Sequence, residues 1–180
     1  MTLTHSCNTP WAQASPAENH TLGPEGLTDF GVSVVQEMNR LGMMVDISHV
    51  SSQTMMDAIT ASSAPVMASH SSARAVNEHD RNVPDEVLRR IRDTRGVVMV
   101  NFYSCYLIAD CETQNATVED VVAHINHIRS VAGVDSVGIG GDYNGVSTMP
   151  LGLEDVSGYP KVFAALIRDK VRNLLRSFLF

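Results

Sequence analysis

Gly42-Met43-Met44-Val45-Asp46-Ile47-Ser48-His49-Val50-Ser51 is the stretch on which the fold turns. A glycine closes one periodic segment, and an apolar run of strand length follows. That run stops at a histidine, just before serines able to cap a helix. The same grammar recurs on both sides. Downstream, Pro65 to Ala68 begins a strand that leads into Ser69-His70. Val97 to Asn101 is the most strand-like run in the chain, and Ser136 to Gly140 reads as the last strand. Upstream, Met1 to Thr4 reads as a strand stub that delivers His5, followed by a long polar connection through Asn8, Pro10, Pro16 and Pro24.

Between the strands the apolar period changes from two to three and four. A helix is predicted from Thr28 or Asp29, with Val34, Val35, Met38 and Leu41 on one face and Gly42 at its end. Ser51 or Ser52 caps a second, carrying Met55, Met56 and Ile59 until Pro65 stops it. Pro84 suits the first turn of a third, whose inward face is Val87, Leu88 and Ile91 and whose end is Gly96. Val118, Val121, Val122, Ile125 and Ile128 mark a fourth, and a final helical stretch begins near Pro160.

Strands alternating with helices imply an α/β fold with a parallel sheet, open or closed. Polar residues decide between the two. Each predicted strand runs out at a residue able to do chemistry: His5, His49, His70, Asn101 and Asp142. A (β/α)8 TIM-type barrel collects side chains from the carboxyl ends of many strands, whereas an open sheet binds at one switch point. The expectation is therefore such a barrel, of which five strands are present. Gly138-Ile139-Gly140-Gly141 continues into Asp142-Tyr143-Asn144-Gly145 rather than a helix, so it is no dinucleotide fingerprint.

Composition narrows the function. A net charge of −7, with Lys and Arg concentrated only in the last dozen residues, gives no reason to expect nucleic acid and favours a small-molecule or peptide substrate. No apolar run approaches the roughly 20 residues that cross a bilayer, and the first residues lack the pattern of a signal peptide. Cys7, Cys105 and Cys111 have no CxxC spacing, and Cys105 and Cys111 are close enough in sequence to pair. Asn19-His20-Thr21 and Asn115-Ala116-Thr117 are glycosylation triplets.

Among candidate site residues, His49 and His70 lie at the ends of neighbouring strands, where two neutral imidazoles can hold one metal ion. Taken singly, each also fits a hydrogen-bonded structural role. His5 either completes that site or donates a hydrogen bond to charge developing on a substrate oxygen. Asp142 is a general base at the mouth of the sheet, or else a turn-forming Asp. Arg81 offers a planar fork to a substrate carboxylate, or is a solvated loop arginine. His124 and His127, three apart on a helix that packs by its apolar residues, are expected to face solvent. The nine methionines read as core filler, and no G-x-S-x-G elbow supports a serine hydrolase.

Several runs together are more specific. Leu3-Thr4-His5-Ser6-Cys7-Asn8-Thr9-Pro10-Trp11, the opening stretch, Ala64-Pro65-Val66 with Ser69-His70-Ser71-Ser72-Ala73, Arg81-Asn82-Val83-Pro84-Asp85 and Gly138 to Tyr143 keep one order and spacing. So do Gly152-Leu153-Glu154-Asp155-Val156-Ser157 and Tyr159-Pro160. Over about residues 1 to 167 the chain resembles the membrane dipeptidase (renal dipeptidase) family. The resemblance implies a metallo-dependent hydrolase barrel with two Zn2+ ions that cleaves dipeptides, of which this chain carries only about strands four to eight. It implies that His49 and His70 bind the second zinc, that His5 polarises the scissile carbonyl, that Arg81 grips the substrate carboxylate and that Asp142 is the acid/base. It also implies an extracellular or lipid-anchored glycoprotein, a homodimer, and a disulfide from Cys7 to an upstream cysteine.

Departures qualify the match. The family's first-zinc His-x-Asp pair and its bridging Glu have no counterpart, which leaves ligands for one metal. Asn144 stands where many relatives have Asp. Ile167-Arg168-Asp169-Lys170 runs straight into Val171, so residues 167–180 form a divergent or shortened end. Five strands cannot close a barrel, and the 180-residue chain is expected to bind at most one zinc and to show no dipeptidase activity. A non-catalytic binding homologue and a different barrel hydrolase such as a deaminase are the rival readings. The Arg81 loop argues against the deaminase.

Overall fold

The computed structural model describes residues 1–15 and 23–177, with side chains through 170. Pro16, the Asn19 triplet and the basic side chains from Arg172 onward lie outside the described residues. In chain order the elements are α1 Asp29–Arg40, α2 Ser52–Ala61, β1 Met67–Ala68, α3 Asp85–Asp93, β2 Val97–Val100, a one-turn α4 Ser104–Leu107, α5 Val118–Ala132, β3 Val137–Ile139 and α6 Tyr159–Ser177. The three strands form a parallel sheet in the order β1-β2-β3. Two single rungs extend it in the same sense, Thr2 against Asp46 and Asp46 against Met67. Five segments thus lie side by side in chain order and point the same way.

The strands are shorter than the apolar runs predict. In the first run Met43 and Met44 are exposed; the Met1 ammonium donates to the Met44 carbonyl on one side, and on the other Met67 N–H donates to the Val45 carbonyl and Ile47 N–H to that of Met67. Helix boundaries follow their caps. The Thr28 hydroxyl accepts from Gly31 N–H and that of Ser51 from Thr54 N–H. Thr117 and Asp120 cap each other's backbone at the start of α5. α6 continues past Ile167 without a break.

Val45, Ile47, Val66, Ala68, Val98 and Val100 are buried beneath the inward faces of the helices, among them Val35, Met55, Leu88, Ile91, Val121 and Ile128. Burial alternates along β1 and β2 and is only partial along β3, so helices cover one face of the sheet and the other is left partly open. The two outer edges differ from this centre. Beside Thr2, a groove of about 340 Å³ is lined by Met1, Phe30, Val34, Met38, Leu41 and Met43. Beside β3, one of about 330 Å³ is lined by Val134, Val137, Ile139, Phe163, Leu166 and Ile167. No helix among the described residues is long and apolar enough to cross a membrane.

His124 corrects the sequence reading. It does not face solvent: it is 0% exposed, its Nδ1 accepts from Ala73 N–H at 2.9 Å, and its Nε2 is 3.0 Å from the Leu107 carbonyl. An imidazole can lie on the apolar face of a helix when both nitrogens find backbone partners, because burial is costly only for unpaired polar groups. His127 is half-buried, with Nε2 2.7 Å from Asp85 Oδ1 on α3. Cys105 and Cys111 are disulfide-bonded, while Cys7 is exposed and free.

Candidate active site

The carboxyl ends of the five segments converge. His70 Nε2 and His49 Nε2 are 2.8 Å apart, and the His5 ring stacks on His49 with centroids 4.1 Å apart. His49 has φ 68° and Asp142 φ 59°, the left-handed region that non-glycine residues avoid. Such strain costs on the order of 1–3 kcal/mol per residue and persists where the surroundings over-determine it. At His49 its carbonyl accepts from Ser15 N–H at 2.8 Å and from the Thr4 hydroxyl at 3.0 Å. At Asp142 the carbonyl accepts from Gly145 N–H, and Asn101 Nδ2 donates to Oδ2 at 3.1 Å. A side chain at Gly145 would stand 2.3 Å from Asp142 Oδ1, and one at Gly140 would stand 2.0 Å from the Ser69 carbonyl. Glycine at these two positions lets β3 approach the His70 strand and leaves room for the Asp142 carboxylate.

Electrostatics tie the parts together. Burial, then the charge of Arg81, then the neighbouring imidazoles His70 and His5 push His49 down to about 3. His70 is lowered for the same leading reasons and raised in part by Asp142 and Asp46. Both rings are therefore neutral at physiological pH, the form that binds metals. Arg81 is 2% exposed, and its Nε and Nη1 have no hydrogen-bond partner. Its guanidinium lies 5.3 Å from the Tyr106 ring centroid. Burial lowers its pKa, opposed by Tyr106 and Asp142. A buried cation with idle donors is costly unless an anion completes it.

All five residues singled out in the sequence thus lie at this end of the sheet. His49 touches both His5 and His70, while Arg81 and Asp142 act on that cluster through their fields. Asp46 was missed. Only 8% exposed, it accepts at Oδ1 from Ser48 N–H and Ser69 N–H, and at Oδ2 from the hydroxyls of Ser69 and Thr2. Burial alone would raise its pKa, but these hydrogen bonds more than offset it and hold the carboxyl below its usual range. The signal was a lone carboxylate inside the apolar run Val45-Asp46-Ile47, where a charge survives only if fully hydrogen-bonded. Tyr106, packed over Arg81, was missed too and had no such signal.

The two Nε2 atoms share one proton across 2.8 Å in the metal-free chain, and a divalent metal such as zinc that displaces that proton suits the pair of neutral imidazoles. Among the described residues no group of three or more His, Cys, Asp or Glu is assembled to hold one. The donor set fits part of a metal centre.

An α/β protein whose parallel sheet pools imidazoles, a carboxylate and a buried guanidinium at its carboxyl edge is the class this geometry defines. The profile of the membrane dipeptidase family, peptidase family M19, matches residues 1–178, and the chain belongs to that family. It is 48% identical over 167 residues to an uncharacterized dipeptidase of Schizosaccharomyces pombe, covering 93% of this chain and 40% of that protein. A crystal structure of a metallo peptidase from Rhodobacter sphaeroides, liganded with a phosphinate mimic of the dipeptide L-Ala-D-Ala, is 35% identical. Its TM-score is 0.83 over 93% of this chain and 48% of that one. A probable dipeptidase from Pseudomonas aeruginosa, at 23% identity and TM-score 0.84, covers 93% of this chain and 56% of its own, and shares the fold. The chain spans about half the length of these relatives.

Proposed function

We propose that the chain forms the substrate-gripping and second-metal part of a zinc-dependent dipeptidase centre, built on about five of the eight strands of a TIM-type barrel. The observation that carries the reading is the pair of facing Nε2 atoms 2.8 Å apart, beside a buried guanidinium with idle donors. The apolar grooves along both outer strands support the barrel, since they are the surfaces that further strands and helices would cover.

In this reading His49 and His70 hold the metal. Zinc, when bound, supplies Lewis acidity to a carbonyl oxygen and lowers the pKa of water. Arg81 binds the substrate's terminal carboxylate through Nε and Nη1, which satisfies its buried donors and fixes the register of the peptide. His5, exposed above His49, donates a hydrogen bond to the carbonyl oxygen as charge develops there. Asp142 takes a proton from water and returns it to the leaving amine, its carboxylate aimed by Asn101. A dipeptide satisfies both ends of this site at once.

With only two of these side chains as metal ligands, the 180-residue chain is read as binding one zinc and not turning over dipeptide by itself. Calorimetric zinc titration beside a hydrolysis assay tests this. A 1:1 complex abolished by His49→Ala and by His70→Ala is expected. Zinc binding indifferent to both substitutions would sink the metal-site reading, and turnover by the chain alone would refute the division of labour.

A further inference from the structure

The two sides of the Asp46 carboxylate are not equivalent. Oδ1 faces two backbone N–H groups, of Ser48 at 3.0 Å and Ser69 at 3.1 Å, whereas Oδ2 faces the hydroxyls of Ser69 and of Thr2. An ionised carboxylate only accepts, so the Ser69 proton points at Oδ2. Ser69 Oγ also lies 2.7 Å from His70 Nδ1. Having given its proton to Asp46, the hydroxyl has only lone pairs left for that contact, so Nδ1 must carry the ring proton. A neutral imidazole has one proton, so Nε2 is left with a bare lone pair, aimed at His49.

We infer that Asp46 is a positioning residue that sets the tautomer of His70 through the Ser69 hydroxyl, leaving Nε2 as the ligating atom. This deepens the metal-site reading and rests on it for its purpose. The chain of protons itself stands independently, since every link is a hydrogen bond within the protein. Partners of this kind fix ligand orientation and tautomer in metal sites, and their loss weakens metal affinity by about 10–100-fold.

Replacing Asp46 by Asn inverts the chain without changing its shape. The two backbone N–H groups on the Oδ1 side force the amide oxygen to stay there, and the amide NH2 takes the place of Oδ2. Ser69 then accepts from Asn, and its own proton turns to His70 Nδ1. The imidazole must shift its proton to Nε2 and loses the ligating lone pair. Removing the hydroxyl as well, in D46N/S69A, releases His70 from this constraint, so a second lesion repairs the first.

The test is long-range 1H–15N correlation spectroscopy on the full chain without metal, above the imidazole titration range, followed by zinc titration. His70 is expected as the Nδ1–H tautomer in the native chain and as Nε2–H in Asp46→Asn. Zinc affinity should fall about 10-fold or more in Asp46→Asn and recover in the double variant to the level of Ser69→Ala. A merely structural role for Asp46 moves the melting temperature but neither the tautomer nor the rescue. The inference is overturned if native His70 is Nε2–H, a reading that needs no variant to fold. It is equally overturned if D46N/S69A binds zinc no better than Asp46→Asn. If the native chain shows the Nδ1–H tautomer yet binds no zinc, the tautomer assignment stands and the metal-site reading fails.

Discussion

His124 and His70 are both sequestered imidazoles in the same fold, and they are opposite in kind. His124 has each nitrogen committed to the backbone, one to Ala73 N–H and the other to the Leu107 carbonyl. It ties the segment after His70 to the turn that carries Tyr106, and nothing on the ring is left over. His70 has one nitrogen committed, to Ser69, and the other aimed at a second imidazole. A ring whose nitrogens both meet backbone groups is structure, and a ring whose second nitrogen meets only another imidazole can trade that contact for a ligand. Burial does not separate the two, but the fate of the second nitrogen does.

The largest expected effect is a crossing of two losses. His70→Ala should remove zinc binding by more than the roughly 10–100-fold seen when only an outer partner is lost, with little change in melting temperature. His124→Leu should do the reverse. It strands the Ala73 N–H and the Leu107 carbonyl in the core, at about 1–3 kcal/mol for each unsatisfied group, while the folded fraction binds zinc as before. Denaturant unfolding and calorimetry on the two variants read both quantities. If His124→Leu weakens zinc binding as much as His70→Ala does, the distinction between backbone-clamped and imidazole-paired rings is broken.

Arg81 belongs with His70, as a buried group with capacity unspent. Replacing it with Met removes a buried cation with two unbonded donors, held by its contact with Tyr106. Exchanging a buried ionic group for an apolar one of similar size is often neutral, or stabilising by about 1–4 kcal/mol. Arg81→Met should therefore be neutral to mildly stabilising, and should abolish any protection of the chain by a small carboxylate such as acetylglycine. Thermal melts with and without that ligand decide it. A clear destabilisation of the ligand-free chain would show that Arg81 is already satisfied, which returns it to the class of His124.

Much of this was legible in the residues. The parallel α/β order follows from the alternation of apolar periods, and the caps Thr28 and Ser51 lie where side-chain chemistry puts them. The convergence of His5, His49 and His70 follows from strands that end alike. Strand length was not legible, because an apolar run records burial and not pairing, and Met43 and Met44 are apolar yet exposed. The role of His124 was hidden for a different reason. Its partners are backbone atoms of residues 51 and 17 positions away, and backbone atoms are the same in every sequence. Asp46 was half legible: a buried carboxylate announces a hydrogen-bond network, but not which atom it serves.

The smallest expected effect is with pH, and it is the one place where the two kinds of imidazole behave alike. Burial lowers the pKa of His124, and burial with Arg81 carries His49 to about 3, both below the 6.5 of an unstrained imidazole. The unfolded chain therefore takes up protons near and below pH 6.5 that the folded chain refuses. Stability of the metal-free protein should fall as pH drops below about 6.5, the His49 contribution continuing down towards 3. Substituting either ring by Asn, which does not titrate, should flatten the curve over that window, as urea unfolding at a series of pH values measures. A depressed pKa thus marks both a ligand and a structural clamp, because each is stable only as the neutral ring. Zinc separates them: it competes with protons for His49 and His70 and leaves His124 untouched. Zinc affinity should therefore fall as pH drops, with the same profile in the native chain and in His124→Asn. If the two profiles differ, the ring on α5 is not the closed, fully spoken-for group that its two backbone bonds describe.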